Sequence, residues 1–418
     1  MERSAEVICV GTELLLGDIL NSNSQFLAQQ LATLGIPHYY QTVVGDNPTR
    51  LQRAVAIACD RAKLLIFTGG LGPTPDDLTI ETLANFFEFP LVERPEIIAD
   101  IERKAAARGR TLTANNYKQA YLPKGADILP NPSGTAPGVI WQPRPGLLIL
   151  TFPGVPREMQ QMWQATAVPY LQANGWSEST LLSRTLRFWG IAESALAEKV
   201  QPFFEGQNPT VAPYASMGQA RLRITAKAPT EAAAAQLIAP VEQQLRQLVG
   251  IDCFGADADS LASAVGALLS QRQETLAVAE SCTGGGLGQM LTAIPGSSSY
   301  FQGGVISYAN SVKTNILKVP EAVLAQEGAV SHTTAKQMAL GVKAYLQTDW
   351  ALSITGIAGP GGGNETKPVG LVYIGLAGAN DLLTSYEYRF GAQSSRDWIR
   401  HLSACNALDR LRRQLLAE

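Results

Sequence analysis

The feature that most constrains the fold is a regular alternation of short apolar strands with amphipathic helices. In the first 170 residues these segments follow one another as Glu6–Gly11, Asn23–Leu34, His38–Val44, Pro48–Ala62 and Leu64–Thr68. Such alternation predicts a parallel sheet covered by helices on both faces. Ligands bind beyond the carboxyl ends of the strands in sheets of this kind. The glycines that follow the strands, Gly11 and residues 69–72, therefore indicate a candidate site.

The rest of the chain divides into two further regions. Residues 176–250 combine strand patterns at 184–189 and 221–226 with helical patterns at 192–204 and 231–248, which predicts a small α+β unit. The stretch Gly250–Asp259 is interpreted as a linker. Residues 260–418 alternate helix and strand again. The predicted architecture is thus α/β with three domains, at residues 1–172, 176–250 and 256–418.

Composition excludes several classes of partner and site. The formal net charge is −3, from 33 basic and 36 acidic residues, so the chain has no general attraction for nucleic acids or anionic membranes. Five cysteines without CxxC spacing argue against a zinc site or a disulfide framework and fit a reducing cytosol. We see neither a signal-peptide pattern nor an apolar run near the ~20 residues that span a bilayer. These features predict a cytoplasmic protein.

The segment Ala279–Gly286 (AESCTGGG) carries the strongest chemical signal. An apolar strand ends, hydroxyl and thiol residues follow, and Gly284 and Gly285 open a helix, which places Ser281 on a tight turn. Backbone amides at the start of that helix could stabilise an oxyanion or hold a phosphate. The alternative is an ordinary N-cap serine.

Two later segments add polar groups to the same predicted sheet edge. In Gly303–Lys313, Tyr308 ends a strand and Lys313 falls in the first turn of a helix, where desolvation would lower the lysine pKa and allow it to act as a base. The alternative is a solvated surface lysine. In Ser353–Gly363, a strand ends in a loop whose amides could approach an anion, with the candidate contacts Gly356, Gly359 and Gly361. The alternative is a flexible connection.

The loop Thr68–Asp77 (TGGLGPTPDD) predicts a phosphate site in the N-terminal region. Its glycines let backbone amides approach an anion, and two threonines add hydroxyl donors; the candidates are Gly69, Gly70, Gly72, Thr74 and Thr79. Acidic residues beside a phosphate suit a divalent cation of the Mg²⁺ type, with candidate ligands Glu13, Asp46, Asp76 and Asp77. Helix capping by the aspartates is the alternative.

The C-terminal motifs AESCTGG, GGVISYANSVK, GAVS, TGIAGPGGG and KPVG occur in this order between Ala279 and Gly370. They closely resemble the C-terminal, nicotinamide-nucleotide amidase domain of the CinA family. The resemblance implies that Ser281 is the nucleophile, that Tyr308 and Lys313 activate it, and that Thr355 lies at the site. It also implies a basic residue near the C-terminus, for which Arg396 fits best and Arg400 is the second choice. The implied reaction is deamidation of nicotinamide mononucleotide without a metal or other cofactor.

Residues 1–170 resemble the molybdopterin-binding domain of MogA and MoeA proteins in its CinA form, a three-layer fold. Four stretches carry the resemblance: Gly11–Leu14, Thr68–Asp77, Asn131–Gly138 and Phe152–Met159. In CinA proteins this domain is associated with metal-dependent cleavage of the ADP-ribose pyrophosphate. The middle region resembles the KH-like domain of the same family, although it lacks the GxxG loop that clamps a nucleic-acid backbone.

These observations leave three functional hypotheses. The first is a bifunctional pyridine-nucleotide salvage hydrolase that acts on nicotinamide mononucleotide and ADP-ribose. The second is a non-catalytic, competence-associated scaffold, and the third is a pterin-binding protein. The intact serine, tyrosine and lysine motifs favour the first hypothesis over the second. For quaternary structure, the resemblance implies a homodimer.

Overall fold

The predicted alternation of strands and helices is present in the computed structural model, which describes residues 3–109, 111–177 and 180–417. The chain forms two compact units. The first comprises Met1–Leu182 and Thr225–Ile238, and the second comprises Ser183–Ile224 and Ala239–Glu418. The predicted middle and C-terminal regions thus lie mostly in one unit. No helix in the described ranges combines the length and apolarity needed to cross a membrane.

The first 177 residues contain eight strands and seven α-helices among the described residues. In chain order they are β1 (Ala5–Val10), α1 (Thr12–Leu16), α2 (Ser22–Thr33), β2 (His38–Val44), α3 (Pro48–Arg61), β3 (Leu64–Thr68), α4 (Thr79–Phe86), β4 (Leu91–Glu93), α5 (Pro95–Ala107), β5 (Tyr121–Pro123), β6 (Asp127–Leu129), β7 (Gly138–Arg144), β8 (Leu147–Phe152), α6 (Pro156–Met162) and α7 (Val168–Ala173).

The main N-terminal sheet is mixed, whereas the sequence pattern predicts a parallel one. Its strand order is β2-β1-β3-β8-β7-β6. The first four strands are parallel, and β7 and β6 are antiparallel to their neighbours. The difference arises because β7 returns to β8 through a tight turn at Gly146, which has a left-handed φ of 77°, and a turn this short can join only antiparallel strands.

Helices cover both faces of this sheet, as predicted. Successive residues of β1 contribute to different cores: Val7 and Cys9 pack on one face, and Ile8 and Val10 pack on the other. Burial on both faces explains why the strands are almost continuously apolar. The N-terminal region therefore has three layers, with the carboxyl ends of β1, β3 and β8 at one edge.

The remaining described residues form nine strands and eight α-helices. In chain order they are β9 (Thr180–Phe188), α8 (Glu193–Val200), β10 (Thr210–Ser216), β11 (Gln219–Ala228), α9 (Glu231–Val249), β12 (Cys253–Ala256), α10 (Leu261–Arg272), β13 (Leu276–Glu280), α11 (Gly286–Thr292), β14 (Phe301–Ile306), α12 (Asn310–Asn315), α13 (Glu321–Gln326), α14 (His332–Leu346), β15 (Trp350–Gly356), β16 (Leu371–Ala377), β17 (Leu383–Arg389) and α15 (Arg396–Ala417).

The predicted linker at Gly250–Asp259 is wrong in one respect, because it contains a strand. Strand β12 pairs antiparallel with β9 and completes a four-stranded sheet of order β10-β11-β9-β12. Four residues rich in small side chains carry little periodic signal, so the pairing is visible only in the tertiary structure.

The C-terminal sheet has the order β14-β13-β15-β16-β17. Strands β14, β13 and β15 are parallel, and β16 and β17 are antiparallel. Helices α10 and α15 pack on one face, where Val278 is buried, and α14 packs on the other, against Ala277 and Ala279. In α15, Cys405, Leu408, Leu411 and Leu415 are buried in this core.

Candidate functional site

The carboxyl ends of the three parallel strands of the C-terminal sheet bring the predicted motifs together. Residue Glu280 ends β13 and lies opposite Ile306 of β14 and Ile354 of β15. Two backbone hydrogen bonds extend the pairing beyond the strands: Ser281 N–H donates to the Ile354 carbonyl at 2.9 Å, and Ser307 N–H donates to the Glu280 carbonyl at 2.7 Å. The serine motif, the lysine motif and the glycine loop therefore meet at one edge.

The central contact of this site joins Lys313 and Ser281. The lysine Nζ lies 3.2 Å from the Ser281 Oγ, and the two side chains are only 1% and 9% exposed. The lysine is held from the other side by two carbonyl oxygens, those of Ser307 at 2.6 Å and Tyr308 at 3.2 Å. Burial lowers the pKa of Lys313, because desolvation disfavours its charged form.

The three acceptors around Lys313 Nζ match the donors of a protonated lysine, and they also accommodate a neutral one. A protonated lysine has three N–H donors, and a neutral one has two donors and a lone pair. The two carbonyls can take both donors of the neutral amine. The lone pair is then left for the hydroxyl hydrogen of Ser281, which is the geometry that a general base requires.

Tyr308 reaches this site through its backbone. Its carbonyl accepts from Lys313, whereas its side chain is 63% exposed. The role predicted for its phenol in activating Ser281 stays a prediction.

Thr355 follows Ile354, whose carbonyl accepts from the Ser281 amide, and the glycine loop comes directly after β15. The buried Thr355 hydroxyl donates to the Ala329 carbonyl at 2.6 Å, which fixes the start of the α14 region. Gly359 has a left-handed φ of 75°, and a Cβ there would lie 2.6 Å from Val369, so only glycine fits. Arg396 donates to the Gly359 carbonyl at 2.8 Å and thereby anchors this loop from α15.

The other glycines predicted to bind substrate have distinct surroundings. A Cβ at Gly356 would lie 2.6 Å from Val372, whereas Gly361 faces open space. The amides of Gly284 and Gly285 are already engaged within the protein, by the Ser281 carbonyl and the Glu280 carboxylate. Substrate contacts by these glycines stay predictions.

The expected oxyanion site at the start of α11 is corrected by the structure. The buried Glu280 carboxylate accepts hydrogen bonds from the amides of Gly285 and Leu287 at 3.0 Å and of Gly288 at 2.8 Å. Sequence reasoning missed Glu280. The detectable signal was an acidic residue at the end of an apolar strand, a few residues before a helix that lacks a capping side chain of its own.

The residues next to Ser281 exclude one competing nucleophile. Burial raises the pKa of the Cys282 thiol to about 12, and this side chain belongs to the apolar core. A thiol of this kind is almost entirely protonated at neutral pH and is unreactive.

The second arginine considered from the sequence, Arg400, donates to the Thr283 carbonyl at 2.8 Å. Both arginines considered from the sequence thus hold loops of the site in place.

A second site lies in the N-terminal region, at the carboxyl edge of the first sheet. It is a cleft of about 510 Å³. Seven of the predicted residues line it, namely Glu13, Asp46, Gly69, Gly70, Gly72, Asp76 and Asp77. Glu158 also lines it and accepts from Asn131 Nδ2 at 2.7 Å, although no role was predicted for either residue.

Several side chains of this cleft are engaged locally. The Asp46 carboxylate accepts from the Thr12 amide and hydroxyl, both at 2.8 Å. The Asp77 carboxylate accepts from the amide of Thr74 at 2.9 Å and also from its hydroxyl. The Thr79 hydroxyl is buried and donates to the Gly69 carbonyl at 2.8 Å, so its predicted role as a phosphate donor is corrected to one in holding the loop.

The carboxylates of the cleft do not form a metal centre by themselves. Within residues 3–109, 111–177 and 180–417, no three His, Cys, Asp or Glu side chains are arranged to hold an ion. The predicted ligand set Glu13, Asp46, Asp76 and Asp77 therefore shares one cleft without converging on one point. A cation held there would need further oxygen ligands, such as those of a substrate phosphate.

Comparison with known proteins gives consistent matches along the chain. Family models match residues 6–173 ("Probable molybdopterin binding domain"), 183–255 ("Damage-inducible protein CinA KH domain") and 258–415 ("CinA C-terminal domain"). A CinA-like protein of Cyanothece sp. is 70% identical over 416 residues, covering 100% of this chain and 99% of its own length. One from Thermosynechococcus vestitus is 68% identical over 413 residues, covering 99% of each chain.

A solved structure of a shorter protein is also similar. It is the competence/damage inducible protein CihA from Agrobacterium tumefaciens, which is 38% identical. The match covers 37% of this chain and 93% of that chain, with a TM-score of 0.36.

Proposed function

Because this chain belongs to the CinA family, we propose that its C-terminal domain is a serine-dependent amidase acting on nicotinamide mononucleotide. The single observation that carries the proposal is the buried contact of 3.2 Å between Lys313 Nζ and Ser281 Oγ. A serine hydroxyl is a weak nucleophile until a neighbouring base removes its proton. Here the neighbouring base is a lysine whose pKa is lowered by burial.

The proposed reaction proceeds in two halves. The Ser281 Oγ attacks the carboxamide carbon as its proton moves to Lys313, and the C=O π electrons shift to the carbonyl oxygen. Collapse of this tetrahedral species breaks the C–N bond, and the departing nitrogen takes the proton from Lys313 and leaves as ammonia. A water molecule then attacks the acyl-enzyme and gives a proton to Lys313. Release of Ser281, which recovers its proton, yields the carboxylic acid.

The amides that follow Ser281 are our candidates for oxyanion stabilisation. Glu280 engages the amides of Gly285, Leu287 and Gly288. The amides of Cys282 and Thr283 donate to no other residue among those described. We assign the oxyanion role to these two, since they come directly after the nucleophile.

The direct test incubates the purified full-length protein with nicotinamide mononucleotide. We expect ammonia and nicotinic acid mononucleotide to appear in equal amounts, without added metal. Free nicotinamide is the matched control substrate. A folded protein that releases no ammonia from the nucleotide would contradict the proposal and favour the scaffold or pterin-binding hypotheses.

For the N-terminal domain we propose metal-dependent hydrolysis of a pyrophosphate, with ADP-ribose as the candidate substrate. The supporting observation is the cleft of about 510 Å³, which combines the glycine loop with five carboxylates, the four predicted ones and that of Glu158. The loop amides would hold a phosphate, and Asp76 and Glu13 are our candidates to share a cation with it. Such a cation would neutralise phosphate charge.

Chelation is expected to separate the two activities. EDTA should abolish ADP-ribose cleavage and leave nicotinamide mononucleotide deamidation within about twofold of its untreated rate, because the lysine–serine contact uses no metal. Both activities are measured on one preparation, and excess Mg²⁺ should restore the first. Equal inhibition of both activities, or of neither, would contradict this division.

A further inference from the structure

Glu280 has an environment that the proposed reaction does not by itself explain. Its side chain is 2% exposed, and its three partners are backbone amides at the start of α11. Burying a carboxylate is costly unless hydrogen bonds replace its water. Charge-assisted bonds to both oxygens do so here. The carboxylate therefore joins the end of β13 to the start of α11, and Ser281 lies in the turn between them.

The backbone of Glu280 is linked through Ser307 to Lys313, the other proposed catalytic group. Its carbonyl accepts the Ser307 amide at 2.7 Å, and the Ser307 carbonyl accepts from Lys313 Nζ at 2.6 Å. One residue thus connects to the nucleophile through its side chain and to the base through its main chain.

We infer that Glu280 is the positioning residue that holds Ser281 against Lys313. This inference rests on the serine chemistry proposed above. The turn needs such support because Gly284 and Gly285 both have left-handed φ angles, 58° and 97°, and glycines restrict the backbone least. Without the carboxylate, the turn keeps two internal bonds, from the Gly284 amide to the Ser281 carbonyl and from the Gly286 amide to the Thr283 carbonyl, both at 3.1 Å, and neither of them reaches back to β13.

The isosteric variant Glu280→Gln tests this role. Glutamine offers one acceptor oxygen, and its NH₂ group would face an amide donor, so at least one of the three bonds is lost. A misplacement of about 1 Å can cost about 100-fold in rate. We expect kcat for deamidation to fall by about that factor while KM changes less than about threefold, because the substrate contacts remain.

A fluorophosphonate probe measures the same effect without the amide substrate. The Ser281 Oγ–P bond forms as the P–F bond breaks, Lys313 takes the hydroxyl proton, and mass spectrometry locates the label. We expect labelling of Glu280→Gln to slow in parallel with kcat. All rates are expressed per folded protein, measured by thermal unfolding and circular dichroism.

The matched control is Ser260→Ala. Ser260 caps α10, another helix of the same unit, and its hydroxyl oxygen accepts from the Ser263 N–H at 3.0 Å, so alanine removes this capping bond. It should lower the melting temperature without lowering kcat. Wild-type labelling and kcat in folded Glu280→Gln would overturn the inference. If Glu280→Gln does not fold, Glu280→Asp takes its place, because aspartate keeps the negative charge but has a side chain shorter by one methylene. Wild-type kcat in folded Glu280→Asp would also overturn the inference. A wild-type protein that neither labels nor releases ammonia would instead refute the proposed function.

Discussion

Replacing Ser281 with alanine is expected to abolish the release of ammonia from nicotinamide mononucleotide. Removal of a nucleophile that works with its base as a unit typically costs about 10⁴-fold or more in kcat. The side chain is small and nearly buried, so alanine should preserve the turn and the bonds of Glu280. The measurement is kcat by ammonia release, with substrate binding followed separately by calorimetry. Binding should persist, because the hydroxyl contributes mainly to the transition state.

The adjacent cysteine provides the matched control. Cys282→Ala is expected to keep most of the activity, because the pKa of that thiol is raised to about 12 and its side chain packs in the core. An equal loss of activity in both variants, each shown to be folded, would argue against Ser281 as the nucleophile.

Replacing Lys313 with arginine is expected to reduce deamidation almost as strongly. A guanidinium group keeps its proton at any accessible pH, so it can bind an anion but cannot accept the serine proton. The arginine also needs more room, at a position where the lysine is 1% exposed. Lys313→Met removes the amine at similar length and controls for this crowding. Both variants should be inactive if Lys313 is the base.

The pH dependence of the wild-type enzyme tests the same assignment. Burial lowers the pKa of Lys313. The neutral, active form therefore becomes populated at a lower pH than for a free lysine, which titrates near ~10.4. Activity should rise with pH along an acidic limb whose midpoint lies below that value. An arginine variant that kept its turnover would show that Lys313 holds the substrate phosphate instead.

The local elements of the fold were predictable because their signals are local. Strands His38–Val44 and Leu64–Thr68 have the predicted bounds, and the helices predicted at Pro48–Ala62 and 231–248 each differ by one residue at one end. Apolar periodicity and glycine turns act within a few residues, so they can be interpreted without knowledge of the rest of the chain.

Pairings between distant segments were not predictable in the same way. The antiparallel edge strands of both main sheets and the strand inside the predicted linker were missed. A short strand pairs with the unpaired edge of a neighbouring strand. Which edge is available is decided only when the whole sheet assembles.

By itself, the sequence determined the alternation of strands and helices in the parallel parts of the fold, the position of each polar motif at a strand end and the residue types available there. Only the tertiary structure decided which of those polar groups face one another. It placed Lys313 against Ser281, 32 residues away, and turned the carboxylates of Asp46 and Asp77 towards Thr12 and Thr74. It also placed the Glu280 carboxylate against the helix amides that were expected to stabilise the oxyanion formed when Ser281 attacks. The physical reason is that a buried polar group must find a hydrogen-bond partner, and the packing of whole elements decides which partner lies within reach.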